Sequence, residues 1–386
     1  MTDWQISFPG EYLMGLAPLL RSTVAGGGAV PSLLVVAAKG GIRLVGGSPD
    51  GAWFSVFIPS DIPDQWCDQR WDANVVQQVA MFAKSRSEIF VTCRDDVVQI
   101  ALENSAYSVT AQTVEHHTKR DVSPMADKEI VAEADVSAAS LVHAVTGAST
   151  SADKEHCNPS IGMAIDIRKP HGMRVIGVSR SSLSVVGVVG RFRGEGRCMV
   201  PVASMVAMAR ILNSQKKTES RVRVRYAKDG FSFSSEHFAF GVCGRQFLPT
   251  KFERILKIAD KQFVTQASCE FVSADMVNAL RASCKACQKG FEMVSFCPTD
   301  DGIDVKAPAE APSIVTAIPG TWTGSLQSPI KVLATDLRDT LIRARYKKVS
   351  LHFPTRNVDP SMHKVTTSES DRFIYIGVNG YDGERG

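Results

Sequence analysis

Five places in the 386-residue chain carry residue types that could do chemistry. Ser179, within Gly177-Val178-Ser179-Arg180-Ser181, offers a hydroxyl nucleophile, and His171 or His237 a base; such a pairing would make a serine hydrolase. The stretch lacks the closing glycine of a strand–turn–helix nucleophile elbow. Cys284-Lys285-Ala286-Cys287 is a CxxC pair, but a tetrahedral zinc site needs a second ligand pair at short spacing. Cys297 follows irregularly and no histidine lies nearby, so small residues buried on a helix account for the pair. His116-His117 has no carboxylate pair beside it. Asp300-Asp301 precedes Gly302 and reads as a turn. Gly46-Gly47-Ser48-Pro49-Asp50-Gly51 lacks the lysine–hydroxyl end of a phosphate-cradling loop. None of the five completes a catalytic or metal-binding set, and the reading is a non-enzyme that needs no metal and no cofactor.

A sixth set is spread along the chain rather than clustered. Cations recur on the polar faces of amphipathic helices. A helix opened by Pro201 carries Val202, Met205, Val206, Ala209 and Leu212 on one face and Ala203, Ala207, Arg210, Ser214 and Lys217 on the other. A helix opened by Ser273 sets Met276, Val277, Leu280 and Cys284 against Asn278, Arg281, Lys285 and Gln288. A helix capped by Ser328-Pro329 sets Ile330, Leu333, Leu337 and Leu341 against Lys331, Thr335, Arg338 and Arg345. Arg21, Gln77 and Lys84 hold similar places on two earlier helices. Any one such face is ordinary solvated helix surface. Recurrence in most of the helices suits a smooth, sequence-independent approach to phosphates.

The elements that position these faces repeat three times. Each unit reads as an amphipathic helix, several short strands, a second amphipathic helix and closing strands. In the first unit Leu13, Leu16, Leu20 and Val24 mark a helix over 11–24, and Asp72 caps a second one. In the second unit Ser137 opens a helix through Leu141, Val142 and Val145. Polar stretches near Thr118–Asp127 and Asp260–Ala267 separate domains 1–124, 125–263 and 264–386. Two helices packed on antiparallel sheets in each domain make the class α+β.

Composition sets bounds. With 44% hydrophobic and 22% charged residues, the chain is neither disordered nor a coiled coil. The longest near-apolar run spans only Ala29–Ala38, short of the roughly 20 residues of a membrane span. Asp3 and Glu11 stand where a signal peptide carries positive charge, so the expected compartment is the cytoplasm, without membrane contact. Nine scattered cysteines suit a reducing environment. Net charge is +4, distributed unevenly: 9 basic and 13 acidic residues in 1–124, 21 and 13 in 125–263, and 14 of each in 264–386.

The order and spacing of these elements resemble the bacterial replicative DNA polymerase sliding clamp, the beta subunit. Tyr12-Leu13-Met14-Gly15-Leu16-Ala17-Pro18-Leu19, followed by a glycine-rich loop and Val30-Pro31-Ser32-Leu33, is similar to that family's opening helix. Ala148-Ser149-Thr150-Ser151-Ala152-Asp153, then Gly162, is similar to the start of its second domain, and Arg245-Gln246-Phe247-Leu248-Pro249 resembles the family's glycine-x-phenylalanine-proline stretch close to that domain. There are departures. Val178-Ser179-Arg180-Ser181-Ser182-Leu183 replaces a threonine-aspartate-glycine-histidine-arginine-leucine loop, and Ile376-Gly377-Val378-Asn379 replaces a methionine-proline-methionine-arginine ending.

The resemblance implies half of a closed homodimeric ring that encircles double-stranded DNA without sequence specificity. It also implies binding of DNA polymerase and clamp loader through short peptide motifs. Arg21, Lys84, Lys154, Arg210, Lys217, Arg281, Lys285 and Arg338 are then the expected phosphate contacts, with Lys154 placed by the resemblance alone. By the same resemblance Val178, Leu183, Pro249, Arg254, Ile255, Met362, Ile376 and Val378 line a partner-peptide pocket. Three like domains in a row leave a sheet edge unpaired at each end. The uncharged strand Tyr107-Ser108-Val109-Thr110-Ala111 is one such edge; the resemblance sets Lys285, Ala286 and the segment to Phe296 against it, with Tyr107 and Val109 as contacts. The alternatives are a monomeric β-rich nucleic-acid-binding module and the serine hydrolase.

Overall fold

The computed structural model describes residues 4–14, 16–17, 20, 32–47, 52–64, 66–84, 86–94, 97–102, 105–110, 112–113, 128–152, 162–169, 172–179, 182–214, 221–228, 230–243, 265–286, 293–307, 314–324, 329–354 and 362–378. The first segment carries β1 (Trp4–Pro9), α1 (Glu11–Met14), β2 (Ser32–Ala38), β3 (Gly41–Gly47), β4 (Ala52–Pro59), β5 (Gln69–Asp72), α2 (Ala73–Phe82), β6 (Glu88–Arg94), β7 (Val97–Leu102), β8 (Ser105–Thr110) and β9 (Gln112–Thr113). The middle segment carries β10 (Ala132–Ser137), α3 (Ala138–Ala148), β11 (Gly162–Arg168), β12 (Gly172–Val178), β13 (Ser182–Val188), β14 (Gly190–Gly194), β15 (Gly196–Val200), α4 (Val202–Ser214), β16 (Arg221–Ala227), β17 (Gly230–Ser234) and β18 (Phe238–Cys243). The last carries β19 (Thr265–Val272), α5 (Ser273–Ala286), β20 (Met293–Thr299), β21 (Gly302–Lys306), β22 (Val315–Thr323), β23 (Ile330–Leu333), α6 (Ala334–Ala344), β24 (Lys348–Pro354), β25 (Met362–Thr367) and β26 (Ser370–Val378).

The helices form where their apolar spacing and caps dictate. Asp72 accepts from the Asn74 amide at 2.7 Å and opens α2, which buries Ala73, Val76, Val79 and Ala80. In the first predicted helix, Leu16 donates to Leu13 and Leu20 to Leu16, with all three leucines buried; residues 21–24 lie outside the described set. The last predicted helix needs correction. Ile330 and Leu333 do not belong to its apolar stripe but to β23, where they pair with Phe296 and Met293 of β20. The ladder satisfies their backbone groups, and α6 starts only at Ala334, after Leu333, whose side chain makes no cap bond.

The chain forms two compact units: Met1–Val142, Ile167–Pro170 and Val189–Gln246; and His143–Asp166, His171–Val188 and Phe247–Gly386. In the first, β1-β6-β7-β8 make one antiparallel sheet and β14-β10-β16-β17-β18-β4-β3-β2-β5-β9 another. The long sheet is continuous because β18, the last strand of the middle segment, pairs with β4 of the first, from Phe238 opposite Val56 to Val242 opposite Ala52. Gly241 allows this approach, since a Cβ there would collide with the Trp53 indole. Phe231, Phe233, Phe238 and Phe240 are buried against one another beneath it.

In the second unit β11-β12-β13-β26-β25-β24-β19-β22-β21-β20-β23 lie side by side in that order. A like seam joins β13 to β26, from Ser182 opposite Gly377 to Val186 opposite Phe373. Among the described residues, no helix is long and apolar enough to cross a membrane.

The second seam is backed by buried ionisable rings. His363 of β25 is 1% exposed, lies 5.8 Å from the Tyr375 ring, and has no hydrogen-bond partner on either ring nitrogen among the described residues. Burial holds its pKa down at about 4. The ring therefore stays neutral when folded and takes up a proton on unfolding below its ordinary value of 6.5. Stability is full above that pH and falls as pH drops toward about 4, at up to ~1.4 kcal/mol per pH unit. The variant His363→Phe should lose about one proton from the acid-limb slope of chemical denaturation; an unchanged slope would contradict this assignment.

Candidate nucleic-acid interface and the edges beside it

The predicted cations fall on both units. In the first, Lys84 is exposed just beyond α2 and Arg210 is exposed on α4. Ala207, placed by the sequence on the polar face of α4, is instead 5% exposed, because that helix is covered over more of its circumference than one stripe. In the second unit, α5 presents Asn278, Arg281 and Lys285 to solvent along one line while burying Met276, Val277, Leu280 and Cys284. Arg338 on α6 is less free. Its Nη2 lies 2.8 Å from a carboxylate oxygen of Asp339 and its Nε donates to the same oxygen at 2.9 Å, so its charge is largely met by its neighbour. Lys331 sits on β23 rather than on a helix. Arg21, Lys154 and Lys217 lie outside the described residues.

The turn after α3 leads toward Lys154 and is held by hydroxyls. Ser149 Oγ and Thr150 Oγ1 donate to the carbonyls of Thr146 and Gly147 at 2.8 and 2.7 Å, closing the helix end. Ser151 Oγ meets Ser184 Oγ at 2.5 Å on β13. From α6, Thr340 Oγ1 donates to Thr150 Oγ1 at 3.2 Å and Arg343 to Ser149 Oγ at 3.2 Å. Gly177 is required below, where a Cβ would collide with the Ala148 carbonyl. The run of small hydroxyl residues thus docks a helix end onto a sheet and a second helix.

The expected pocket residues share strand register. Val178 of β12 lies opposite Leu183 of β13, which lies opposite Ile376 of β26; Met362 of β25 lies opposite Val378. Val178 and Leu183 are 4% and 1% exposed, built into the sheet. Ser179 closes this hairpin: its hydroxyl meets that of Ser182 at 2.9 Å and its amide donates to the Ser182 carbonyl. Pro249, Arg254 and Ile255 lie outside the described residues. Among those described, no group of three or more histidines, cysteines and carboxylates could hold a metal ion.

The strand edges required the largest correction. β8 is an edge, as expected, paired only to β7 among the described residues, with Tyr107 half-buried. On α5, Lys285 is exposed and Ala286 half-buried. The segment running to Phe296, however, cannot add a strand. Ser295 and Phe296 pair with β21 on one side and β23 on the other, so both edges of β20 are taken. The open edge lies on β22, where Val315–Pro319 pair only with β21 among the described residues and Val315 is 49% exposed. Next to β8, the end of α2 also exposes Met81 and Phe82, at 47% and 60%. The aligned hairpin glycines Gly41 and Gly302 could have pointed to β22, since Gly41 faces Pro59 on β4 as Gly302 faces Pro319 on β22.

No protein-family model matches the sequence, and no curated protein matches it at a significant level. Solved structures match over nearly the whole length. The DNA polymerase III beta subunit of Thermotoga maritima is similar at a TM-score of 0.77 and 13% identity, covering 98% of this chain and 99% of that one. A Pseudomonas aeruginosa DNA polymerase sliding clamp, crystallised with a ligand, is similar at 0.77 and 11%, covering 97% and 98%. A putative DNA polymerase III beta subunit from Eubacterium rectale is similar at 0.74 and 13%, covering 97% and 98%. The chain thus has the sliding-clamp fold over nearly its whole length.

Proposed function

We propose that this chain is a DNA sliding clamp. In this reading, residues 1–124, 125–263 and 264–386 are three like domains, and two copies close head to tail into a ring around duplex DNA. The ring tethers a replicative polymerase and is opened by a loader, both bound through short hydrophobic peptides. The exposed cations of α4 and α5 face phosphates, whose attraction is independent of sequence.

The observation that carries the proposal is the seam. It occurs twice within the chain, β18 on β4 and β26 on β13, and each time the last strand of one segment pairs with the same strand of the preceding one. Two members of the set remain: β8, which follows β6 and β7 as β18 follows β16 and β17 and β26 follows β24 and β25, and β22 of the third segment. The seams share a register. Phe240 lies opposite Phe54 and Tyr375 opposite Ser184, and these aromatic residues are 0% and 1% exposed. Tyr107 holds the equivalent position in β8, opposite Ile100 as Phe240 is opposite Phe233. Transferring the register through the two proline–glycine pairs sets Tyr107 of one copy opposite Ile314 of the other. Made twice, that contact closes a two-fold ring.

Sedimentation equilibrium should give twice 41.8 kDa for the native protein. Tyr107→Glu and Ile314→Glu should each yield folded monomers, since loss of an anchor side chain at the centre of an interface costs about 2 kcal/mol or more and each change sets a carboxylate in the seam. Ser295→Glu on β20 should leave the dimer intact. A dimer that survives the first two changes, or splits with the third, would overturn this seam.

A second test addresses DNA. Protein allowed to dissociate and reassemble around nicked circular plasmid should stay bound through gel filtration and be lost once the plasmid is linearised. Before closure, Arg281→Ala with Lys285→Ala should flatten the salt dependence of duplex binding by about two contacts, roughly 0.9 in log–log slope each. Arg338→Ala should change it less, because Asp339 already neutralises that charge. Equal retention on linear and circular DNA would contradict encirclement.

A further inference from the structure

The solvent face of β14, β10 and β16 carries five arginines against two carboxylates. Glu133 of β10 stands in register between Arg193 of β14 and Arg225 of β16, and Asp135 between Arg191 and Arg223. Glu133 Oε2 is 2.7 Å from Arg193 and its Oε1 3.0 Å from Arg225; Asp135 is 2.8 Å from Arg221. Arg223 comes no closer than 3.8 Å to Glu133, and Arg191 makes no ion pair among the described residues. The side chains of Arg193, Arg223, Arg221 and Arg225 remain 79%, 59%, 54% and 41% exposed. The two carboxylates cannot neutralise five guanidinium groups, and the face keeps a surplus of three positive charges.

The fold does not require this. The third segment builds the same frame in β22 and its neighbours. Gly190 and Gly194 bracket Arg191-Phe192-Arg193 as Gly320 and Gly324 bracket Thr321-Trp322-Thr323. In each frame the second glycine has a positive φ, 69° at Gly194 and 84° at Gly324. A Cβ on Gly190 or Gly194 would collide with the carbonyls of Asp135 or Val131, and on Gly320 or Gly324 it would crowd those of Glu270 or Gln266. Where the middle segment has Arg191, Arg193, Arg221, Arg223 and Arg225, the third has Thr321, Thr323, Lys348, Ser350 and His352, by the registers of β10 with β14 and β16 and of β19 with β22 and β24. One frame with two charge patterns separates the arginines from folding.

The strand that carries Arg191 and Arg193 is also open. β14 ends its sheet, pairs only with β10 among the described residues, and all five of its residues are exposed. Its arginines project to one face, and by strand alternation Phe192, 37% exposed, projects to the other. An added antiparallel strand would meet guanidinium groups at every second residue and an aromatic ring between them.

We propose that β14 is a docking edge for an extended acidic peptide of a partner protein, with carboxylates at alternate positions set against Arg191 and Arg193 and an apolar residue set against Phe192. Main-chain bonds to the open edge would supply affinity and the arginines the choice of partner. The site is independent of the DNA-facing helices and of the ring seam.

The probe is the labelled peptide Ser-Glu-Val-Glu-Val-Glu-Ser, read by fluorescence anisotropy and by hydrogen exchange of β14 amides. The variant is Arg191→Thr with Arg193→Thr, which copies the residues the third segment carries in the same frame. Binding that weakens at least tenfold in the variant, with β14 amides protected by peptide in the native chain, is the expected result. No binding, or equal binding by the variant, would overturn the proposal. Binding without protection of β14 would reduce it to charge attraction and overturn the strand-addition claim. A single-stranded oligonucleotide of seven residues that binds as tightly, with the same tenfold dependence on the two arginines, would assign the face to nucleic acid instead.

Discussion

An exposed strand edge presents a row of unpaired amides and carbonyls, and this molecule is organised around satisfying them. Each segment has a closing antiparallel run, β6-β7-β8, β16-β17-β18 or β24-β25-β26, whose third strand that run leaves half-paired. Within the chain the next sheet supplies the missing partner, at β4 for β18 and at β13 for β26. The aromatic at the centre of each seam, Phe240 or Tyr375, is then buried. Tyr107 has the same position and only half the cover. The fold solves one problem the same way twice and, among the described residues, leaves the third instance open; in the proposed ring a second copy carries the matching edge.

The charges follow a different logic from the edges. Helix α5 keeps its cations in line and, among the described residues, without an ion pair, whereas Arg338 on α6 is tied to Asp339. Only the first kind can exchange counterions for phosphates without first breaking an ion pair. On the sheet surface of the middle segment, arginines exceed carboxylates in a frame that tolerates threonine and serine elsewhere in the same chain. That surplus is local chemistry laid over a repeated scaffold, separate from what makes the scaffold fold.

Much of the scaffold was legible in the sequence. The three-fold recurrence of helices and hairpins rests on periodicity and on caps such as Asp72, local features that neighbours reinforce. Ile330–Leu333 misled because four residues with apolar ends fit a helix turn as well as a strand, and only pairing with β20, more than 30 residues away in sequence, decides between them. The partner edge misled for a related reason. Which strand of a segment lies outermost depends on sheet order, and β20 is flanked on both sides despite its exposed hairpin. The arginine face was visible as alternation in Arg221–Arg225 and Arg191–Arg193, but its meaning rested on knowing that Glu133 and Asp135 stand between those strands.

Backbone hydrogen exchange in β8 and β22, followed from dilute to concentrated protein, tests the shared seam most directly. The account predicts that amides of Ser105–Thr110 and of Val315–Ile318 gain protection together as copies associate, while those of β20 and β23 do not change. Protection that rises in β23 instead, or association that leaves β8 unprotected, would contradict it.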